Sequence, residues 1–494
     1  MEFVYKPLQG QKFGIGSYTI PFQMSPFLFV SLAILFFLCF LENNFAIQTH
    51  HDVHQYTHLV HINSLLPSSS CSSSNKGPKN KASLNVVHKH GPCSQLNNGK
   101  TKILPTHNDI LNIDKERVNY IHNKISKKKN MEELDSSNLP AKSGSLIGSG
   151  NYFVVVGLGS PKRDLSLIFD TGSDLTWTQC QPCARSCYKQ QDEIYDPSKS
   201  TSYQNITCTT SECTQLSTAT GNEPGCAKLT NACIYGIQYG DQSFSVGYFG
   251  RERLTVTAKD SVDGFLFGCG QNNQGLFGGS AGLLGLGRHP ISFVQQTSLK
   301  YHKTFSYCLP STSSAIGHLT FGATSNNYVK YTPFSTTGSN SFYGLDIVGI
   351  TVAGTKLPIS SSIFSTGGAI IDSGTVITRL PPTAYSVLRD AFKKGMLKYP
   401  PASALSLLDT CYDLSGSKVV SVPKISFTFG GDVTVDLAAS GILYVASVKQ
   451  VCLAFAANGD DSDLTIFGNV QQRTLEVVYD VGGGKIGFGY GGCK

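Results

Sequence analysis

Phe169-Asp170-Thr171-Gly172-Ser173 recurs later in the chain as Ile371-Asp372-Ser373-Gly374-Thr375. Each copy follows an apolar run, and each is answered downstream by an apolar pair and a glycine, Leu283-Leu284-Gly285 in the first half and Ile466-Phe467-Gly468 in the second. That is the pattern of an internally duplicated chain. A carboxylate at the end of a buried strand, followed by a hydroxyl residue and glycine, has a mechanical reading. Gly172 and Gly374 permit a sharp turn with close backbone approach. The hydroxyls of Thr171, Ser173, Ser373 and Thr375 are expected to bond across and beneath the two turns, fixing the carboxylates against rotation. Two such turns face to face bring Asp170 and Asp372 within reach of one water molecule. Like charges that close cannot both ionise cheaply, so the pair shares a proton over an acidic range. One carboxylate then activates the water while the other protonates a carbonyl oxygen. Such chemistry needs no metal, no cofactor and no covalent intermediate.

The 494 residues are enough for two lobes plus accessory segments. The formal charge of +7 is unevenly placed: residues 1 to 141 hold 14 Lys and Arg against 9 Asp and Glu, and residues 142 to 494 hold 26 against 24. A nearly neutral main body argues against a broad nucleic-acid-binding surface. Twelve of the 15 cysteines follow residue 142, namely Cys180, Cys183, Cys187, Cys208, Cys213, Cys226, Cys233, Cys269, Cys308, Cys411, Cys452 and Cys493. An even dozen points to six bridges formed in an oxidising compartment. Cys180-x-x-Cys183-x-x-x-Cys187 has metal-like spacing, but no second pair follows to complete a tetrahedral shell, so no metal site is expected.

The apolar run Pro26 to Leu41, with Lys6 and Lys12 before it and Glu42-Asn43-Asn44 after it, reads as a signal peptide over residues 1–46. It is short for a bilayer span, although a short uncleaved anchor is the other reading, and no stable membrane span is expected in the mature form. Residues 47–141 are polar, rich in Lys and Ser, and read as a linker and prosegment. They hold nine of the twelve histidines, among them His50, His54 and His58 at helical spacing. Beyond Ala141, short β-branched and aromatic runs separated by Gly, Pro, Asn and Ser give an all-β signature. Strands are expected at 152–156, 165–169, 348–352 and 475–479. The best helix candidate is 384–392, with Thr383 as N-cap. Asn205-Ile206-Thr207 is a sequon, a surface glycan site if the chain is secreted.

With these motifs in place, residues 151 to 494 resemble a plant pepsin-family aspartic protease of the nepenthesin-like group. The resemblance implies an all-β, bilobal pepsin-like fold with a few short helices and an active-site cleft between an N-terminal lobe (142–335) and a C-terminal lobe (336–494). It implies a monomeric endopeptidase that hydrolyses protein and peptide substrates at acidic pH through Asp170 and Asp372. Trp177, the one Trp in the chain, occupies the place of a family Trp that hydrogen-bonds the flap tyrosine. Tyr239-Gly240-Asp241-Gln242-Ser243 resembles that flap, with Tyr239 closing over substrate beside Gly240 and Asp241. By the same resemblance the bridges are Cys180–Cys183, Cys187–Cys269, Cys208–Cys233, Cys213–Cys226, Cys308–Cys493 and Cys411–Cys452, a choice that spacing alone cannot make.

The stretch Leu84 to Ser94 and Gln242 at the flap resemble the chloroplast nucleoid DNA-binding subgroup. Together with the basic run His122 to Lys129, this raises weak nucleic-acid binding by the prosegment. It also raises plastids, or the vacuole, as alternatives to secretion into the extracellular space. A second alternative is a catalytically weak inhibitor on the same fold, against which the intact aspartates, hydroxyls, Trp177 and Tyr239 argue. The histidines and basic residues of the prosegment, set beside an anionic site, imply inhibition that acid relieves.

Overall fold

The expected strand that carries the first motif is Arg163–Asp170, labelled β4, whose last six residues are all buried. It lies between β3 (Tyr152–Leu158), antiparallel to it, and strand Gly282–Gly285, parallel to it, with Leu284 opposite Phe169 and Gly285 opposite Asp170. The computed structural model describes residues 56–72, 82–97, 105–130, 151–239, 243–275, 277–322, 328–336 and 341–493, without the side chains of 126–130. The expected signal peptide therefore lies outside the described residues. No described helix is long and apolar enough to cross a membrane.

The protein is all-β and bilobal with a few helices. One sheet of 15 strands runs through the first half and continues into the second, because Thr304–Cys308 pairs antiparallel with Glu476–Asp480. Three smaller sheets complete the second half. On the central ladder Cys308 is flanked by His318 and Glu476, which are buried and joined by a hydrogen bond of 2.8 Å between Nε2 and Oε2. A helix, labelled α2 below, runs over Pro382–Gly395 and buries Ala384, Tyr385, Leu388 and Phe392. It starts on Pro382, a residue pre-set for the first helical position, so Thr383 is not its N-cap. The Thr383 hydroxyl and N–H instead bind the Asp461 carboxylate.

The described residues between 56 and 130, read as linker and prosegment, pair with strands of the body and pack against it. Strand β1 (Thr57–His61) pairs with Val419–Pro423, which puts His58 on a strand rather than a helix. His50 and His54 lie outside the described residues. Strand β2 (Ala82–His88) is inserted in the large sheet between Ile316–Phe321 and β3, its Leu84 and Val86 buried in the core. The alternation Leu84-Asn85-Val86 is that of a half-buried strand. Helix α1 (His107–Asn130) is entered through reciprocal bonds, Asp109 N–H to Thr106 Oγ1 and Thr106 N–H to Asp109 Oδ2. That exchange is a capping box with aspartate in the usual place of glutamate. Leu111, Val118 and Ile121 form its buried stripe, at helical spacing.

All twelve expected cysteines are bridged, but four of the six pairings inferred from the resemblance are replaced. The bonds are Cys180–Cys269, Cys183–Cys187, Cys208–Cys226, Cys213–Cys233, Cys308–Cys493 and Cys411–Cys452. Register and burial explain the exchange. Cys180 follows strand Trp177–Gln179, whose parallel partner places Cys269 opposite Thr178, so the two buried sulfurs meet. In the insert, buried Cys213 pairs with buried Cys233, leaving the more exposed Cys208 and Cys226 for one another. A seventh bond, Cys71–Cys93, closes within the N-terminal segment. A non-reduced digest analysed by mass spectrometry should yield linked peptides for Cys180–Cys269 and Cys213–Cys233, and none linking Cys187 to Cys269.

Candidate active site

Strand Ala369–Ile371 delivers Asp372 as β4 delivers Asp170, and its parallel partner Thr465–Phe467 matches the role of Gly282–Gly285. Both carboxylates are buried, with Asp170 at 1% and Asp372 at 0% exposure. Each turn ties its own aspartate: Gly172 N–H donates to Asp170 Oδ1 at 2.9 Å and Gly374 N–H to Asp372 Oδ1 at 3.1 Å. The turns also clasp each other. Ser373 N–H donates to Thr171 Oγ1 at 2.9 Å, and Thr171 N–H donates to Ser373 Oγ at 3.1 Å. The glycines matter through space: a Cβ at Gly172 would lie 2.7 Å from Asp372 Oδ1, and one at Gly374 2.6 Å from Asp170 Oδ1.

The fourth-position hydroxyls are not equivalent, contrary to the symmetric expectation. Thr375 Oγ1 donates to Asp372 Oδ2 at 2.5 Å. Ser173 Oγ is buried and makes no hydrogen bond among the described residues. Trp177 and Tyr239 stand together on the first-half side, Trp177 Nε1–H donating to Tyr239 Oη at 2.7 Å, with both rings edge-on to Phe277. Gly240, Asp241 and Gln242 lie outside the described residues. Asn205 is exposed on a short strand, while the bridged Cys213 and Cys233 lie in the same apolar cluster as Trp177 and Phe277.

One residue absent from the sequence reading joins the two carboxylates. Arg117, on α1, donates from Nη2 to Asp170 Oδ1 at 2.7 Å and to Asp372 Oδ1 at 2.9 Å, and from Nε to Asp372 Oδ2 at 2.9 Å. A planar fork of donors suits two carboxylates better than a lysine ammonium does. Arg117 is also the single arginine among the first 141 residues, where thirteen lysines occur, and that singularity was the available signal. One turn earlier on the same face, buried Asp114 accepts from Val376 N–H at 2.5 Å, Ile377 N–H at 3.1 Å and Arg379 Nη2 at 2.9 Å. His107 meets Tyr444 Oη, and His122 meets the Leu464 carbonyl. The histidines thus ring the contact while an arginine faces the dyad.

Burial opposes charge on both aspartates, and the balance divides them. For Asp372, the Arg117 guanidinium with its hydrogen bonds, then Thr375 and Gly374, outweighs burial and holds the pKa below the ordinary carboxylate value. For Asp170, burial prevails over Arg117, and the neighbouring Asp372 adds to it, so the pKa is raised. Arg117 makes Asp372 the more acidic member of the pair and leaves Asp170 the readier proton carrier, and Asp170 Oδ2 has no hydrogen-bond partner among the described residues. With Arg117 withdrawn, such a pair can take a proton from water with one oxygen and give one to a carbonyl with another.

Residues 152–323 match the family described as xylanase inhibitor N-terminal, and residues 342–490 the one described as xylanase inhibitor C-terminal. An aspartyl protease family protein of Arabidopsis thaliana is 59% identical over 445 residues, covering 89% of this chain and 93% of that one. The aspartic proteinase nepenthesin-2 of Nepenthes gracilis is 37% identical over 346 residues, covering 68% and 76%. Conglutin gamma, a basic 7S globulin of lupine seeds, shares the fold with a TM-score of 0.54 at 19% identity, covering 70% of this chain and 93% of that structure.

Replacing Thr171 by Val removes the acceptor of the buried Ser373 N–H. The cost expected is about 1–3 kcal/mol, from a buried donor left unpaired. Denaturant melts of the wild type and Thr171→Val measure it directly.

Proposed function

This chain belongs to the plant pepsin-like aspartic proteases, and we propose that the described form is its zymogen, held inactive by α1 and entering the secretory pathway. The protein is an aspartic endopeptidase, acting on protein substrates. The observation that carries the zymogen reading is the Arg117 guanidinium seated on both aspartates, where substrate and water must meet. A second observation supports release. The six bridges of the body lie within residues 180–493, and Cys71 pairs with Cys93, so among the described residues no disulfide ties the N-terminal segment to the body. A cut between α1 and β3, within residues 131–150, frees the segment. Seven bridges fit folding in an oxidising compartment, and the exposed Asn205 sequon fits glycosylation there. His122 and Lys124, two members of the basic run, are turned into contacts with Leu464 and Phe342, which weakens a free cationic surface for nucleic acid.

Acid should open this arrangement, because most of the groups that change charge on docking favour the docked form only at higher pH. Burial lowers the pKa of His58, His107 and His122, and takes His88 down to about 3. Their neutral forms favour docking, so this contribution is full above about 6.5 and fades as pH falls toward the lowered values. The depressed pKa of Asp372 acts in the same direction: its pairing with Arg117 persists through the ordinary value of 3.8 and is lost below it. Asp170 and Asp114, both raised mainly by burial, oppose release and narrow its range to the more acidic end.

Asp170→Asn should abolish casein cleavage after acidification while leaving the chain folded by circular dichroism. Arg117→Gln should release the N-terminal segment at a pH where the wild-type precursor stays intact, because removing one partner of a buried ion network costs about 3–5 kcal/mol. His107→Gln combined with His122→Gln should move the midpoint of acid activation down by about half a pH unit. N-terminal sequencing across a pH series reads both effects, and an unmoved midpoint in the Arg117 variant would sink the zymogen reading.

A further inference from the structure

The carboxylate of Asp114 is held by a cradle that belongs to the body, not to the helix. Val376 and Ile377 are the fourth and fifth residues after Asp372, on the same turn that sets the dyad, and both point their N–H groups at one side chain. Arg379 completes the cradle from strand Thr378–Leu380, which is fixed by parallel pairing with Phe455–Ala457. Its guanidinium is 4% exposed, with Nη1 anchored on the Ile377 carbonyl at 2.8 Å and Nη2 on Asp114. Thr378 is locked beneath by Gln471, so the cradle is built on rigid backbone. Asp114 is the one ion-pair partner of Arg379 among the described residues. On α1 it stands one helical turn from Arg117, so whatever occupies the cradle is a few residues along the chain from the group on the dyad.

We propose that this cradle is a specificity subsite for an acidic side chain of the substrate, and that Asp114 occupies it in the precursor as a stand-in for that side chain. The inference rests on the reading that α1 leaves the dyad on maturation. Once it leaves, Arg379 and two aimed N–H groups face the substrate path without a carboxylate. A peptide that places Asp or Glu there restores all three donors. A peptide with Asn or Gln offers one amide oxygen and no counter-charge, and an apolar residue offers no acceptor at all. Charge-assisted bonds of this kind favour the acidic peptide by about tenfold in kcat/KM at the upper end of the active pH range, where the carboxyl is ionised. The substrates selected are acidic peptides, distinguished at a position removed from the cleaved bond.

The test uses the full chain, acidified to its shortened form, against a peptide library with Asp, Asn, Glu or Gln scanned through the four positions on each side of a fixed cleavage site. The wild type should prefer the acidic member of each pair at one position, by about tenfold. Arg379→Gln should bring that ratio to within about twofold, and Arg379→Lys should restore part of it. The subsite is overturned if the wild type cleaves the neutral peptides with no acidic preference at any position, or if Arg379→Gln keeps the preference. Either result leaves the endopeptidase intact. Failure of the shortened chain to cleave any peptide would overturn the maturation reading together with the subsite. A poorly folded Arg379→Gln does not rescue the idea, because the wild-type profile alone can refute it.

Discussion

Two carboxylates buried at one point are the constraint around which the molecule is arranged. Neither can be charged cheaply without donors, and both cannot be charged together without a counter-charge. The glycine N–H groups and the mutual clasp of Thr171 and Ser373 supply the fixed donors. They also hold the turns in register, so the two halves of the chain meet through hydrogen bonds that neither half can make alone. Arg117 supplies the counter-charge while the helix is docked. On the zymogen reading, its departure leaves the pair to share a proton, the condition under which acid and base chemistry become available together.

The duplication has been kept in the backbone and broken in the side chains. Parallel partner strands, closing glycines and aspartate positions repeat. Thr375 bonds its aspartate while Ser173 bonds none among the described residues, and the residues after the two motifs serve different ends. Asp174 accepts the His289 N–H within its own half, whereas the corresponding turn of the second half offers its N–H groups outward to Asp114. The Thr375 bond adds to the lowering of the Asp372 pKa that Arg117 dominates, and Asp170 has no counterpart to it.

Most of the body was legible because its signals are local. The β-branched runs at 152–156 and 165–169 are strands, and the two aspartate motifs meet as their matching lead-ins implied. The N-terminal segment was not legible, for physical reasons. Asp114 sits in the apolar stripe of α1 and Arg117 beside it, so the helix face looks interrupted until Arg379 and the dyad are known. Strand β2 shows its alternation plainly but gives no hint that its neighbours are Ile316–Phe321 and β3. Disulfide partners depended on strand register between Cys180 and Cys269, a long-range fact that spacing does not encode. The resemblance read Tyr239 as a flap residue bonded by Trp177, and the structure shows Trp177 Nε1 donating to its hydroxyl.

On the zymogen reading proposed above, the central position of β2 makes conversion topologically costly. Were it a rim strand, it could peel away and expose one edge. Instead six residues of Ile316–Phe321 face it on one side, with β3 on the other, so its loss opens a seam through the middle of the sheet. Backbone groups stranded there must find new partners, most simply from the newly cut start of the body, so maturation amounts to a strand exchange. Such an exchange runs one way, because the cut chain has lost the piece around which the sheet first closed. The active enzyme is then trapped rather than at equilibrium, and its lifetime is governed by an unfolding barrier instead of a folding free energy.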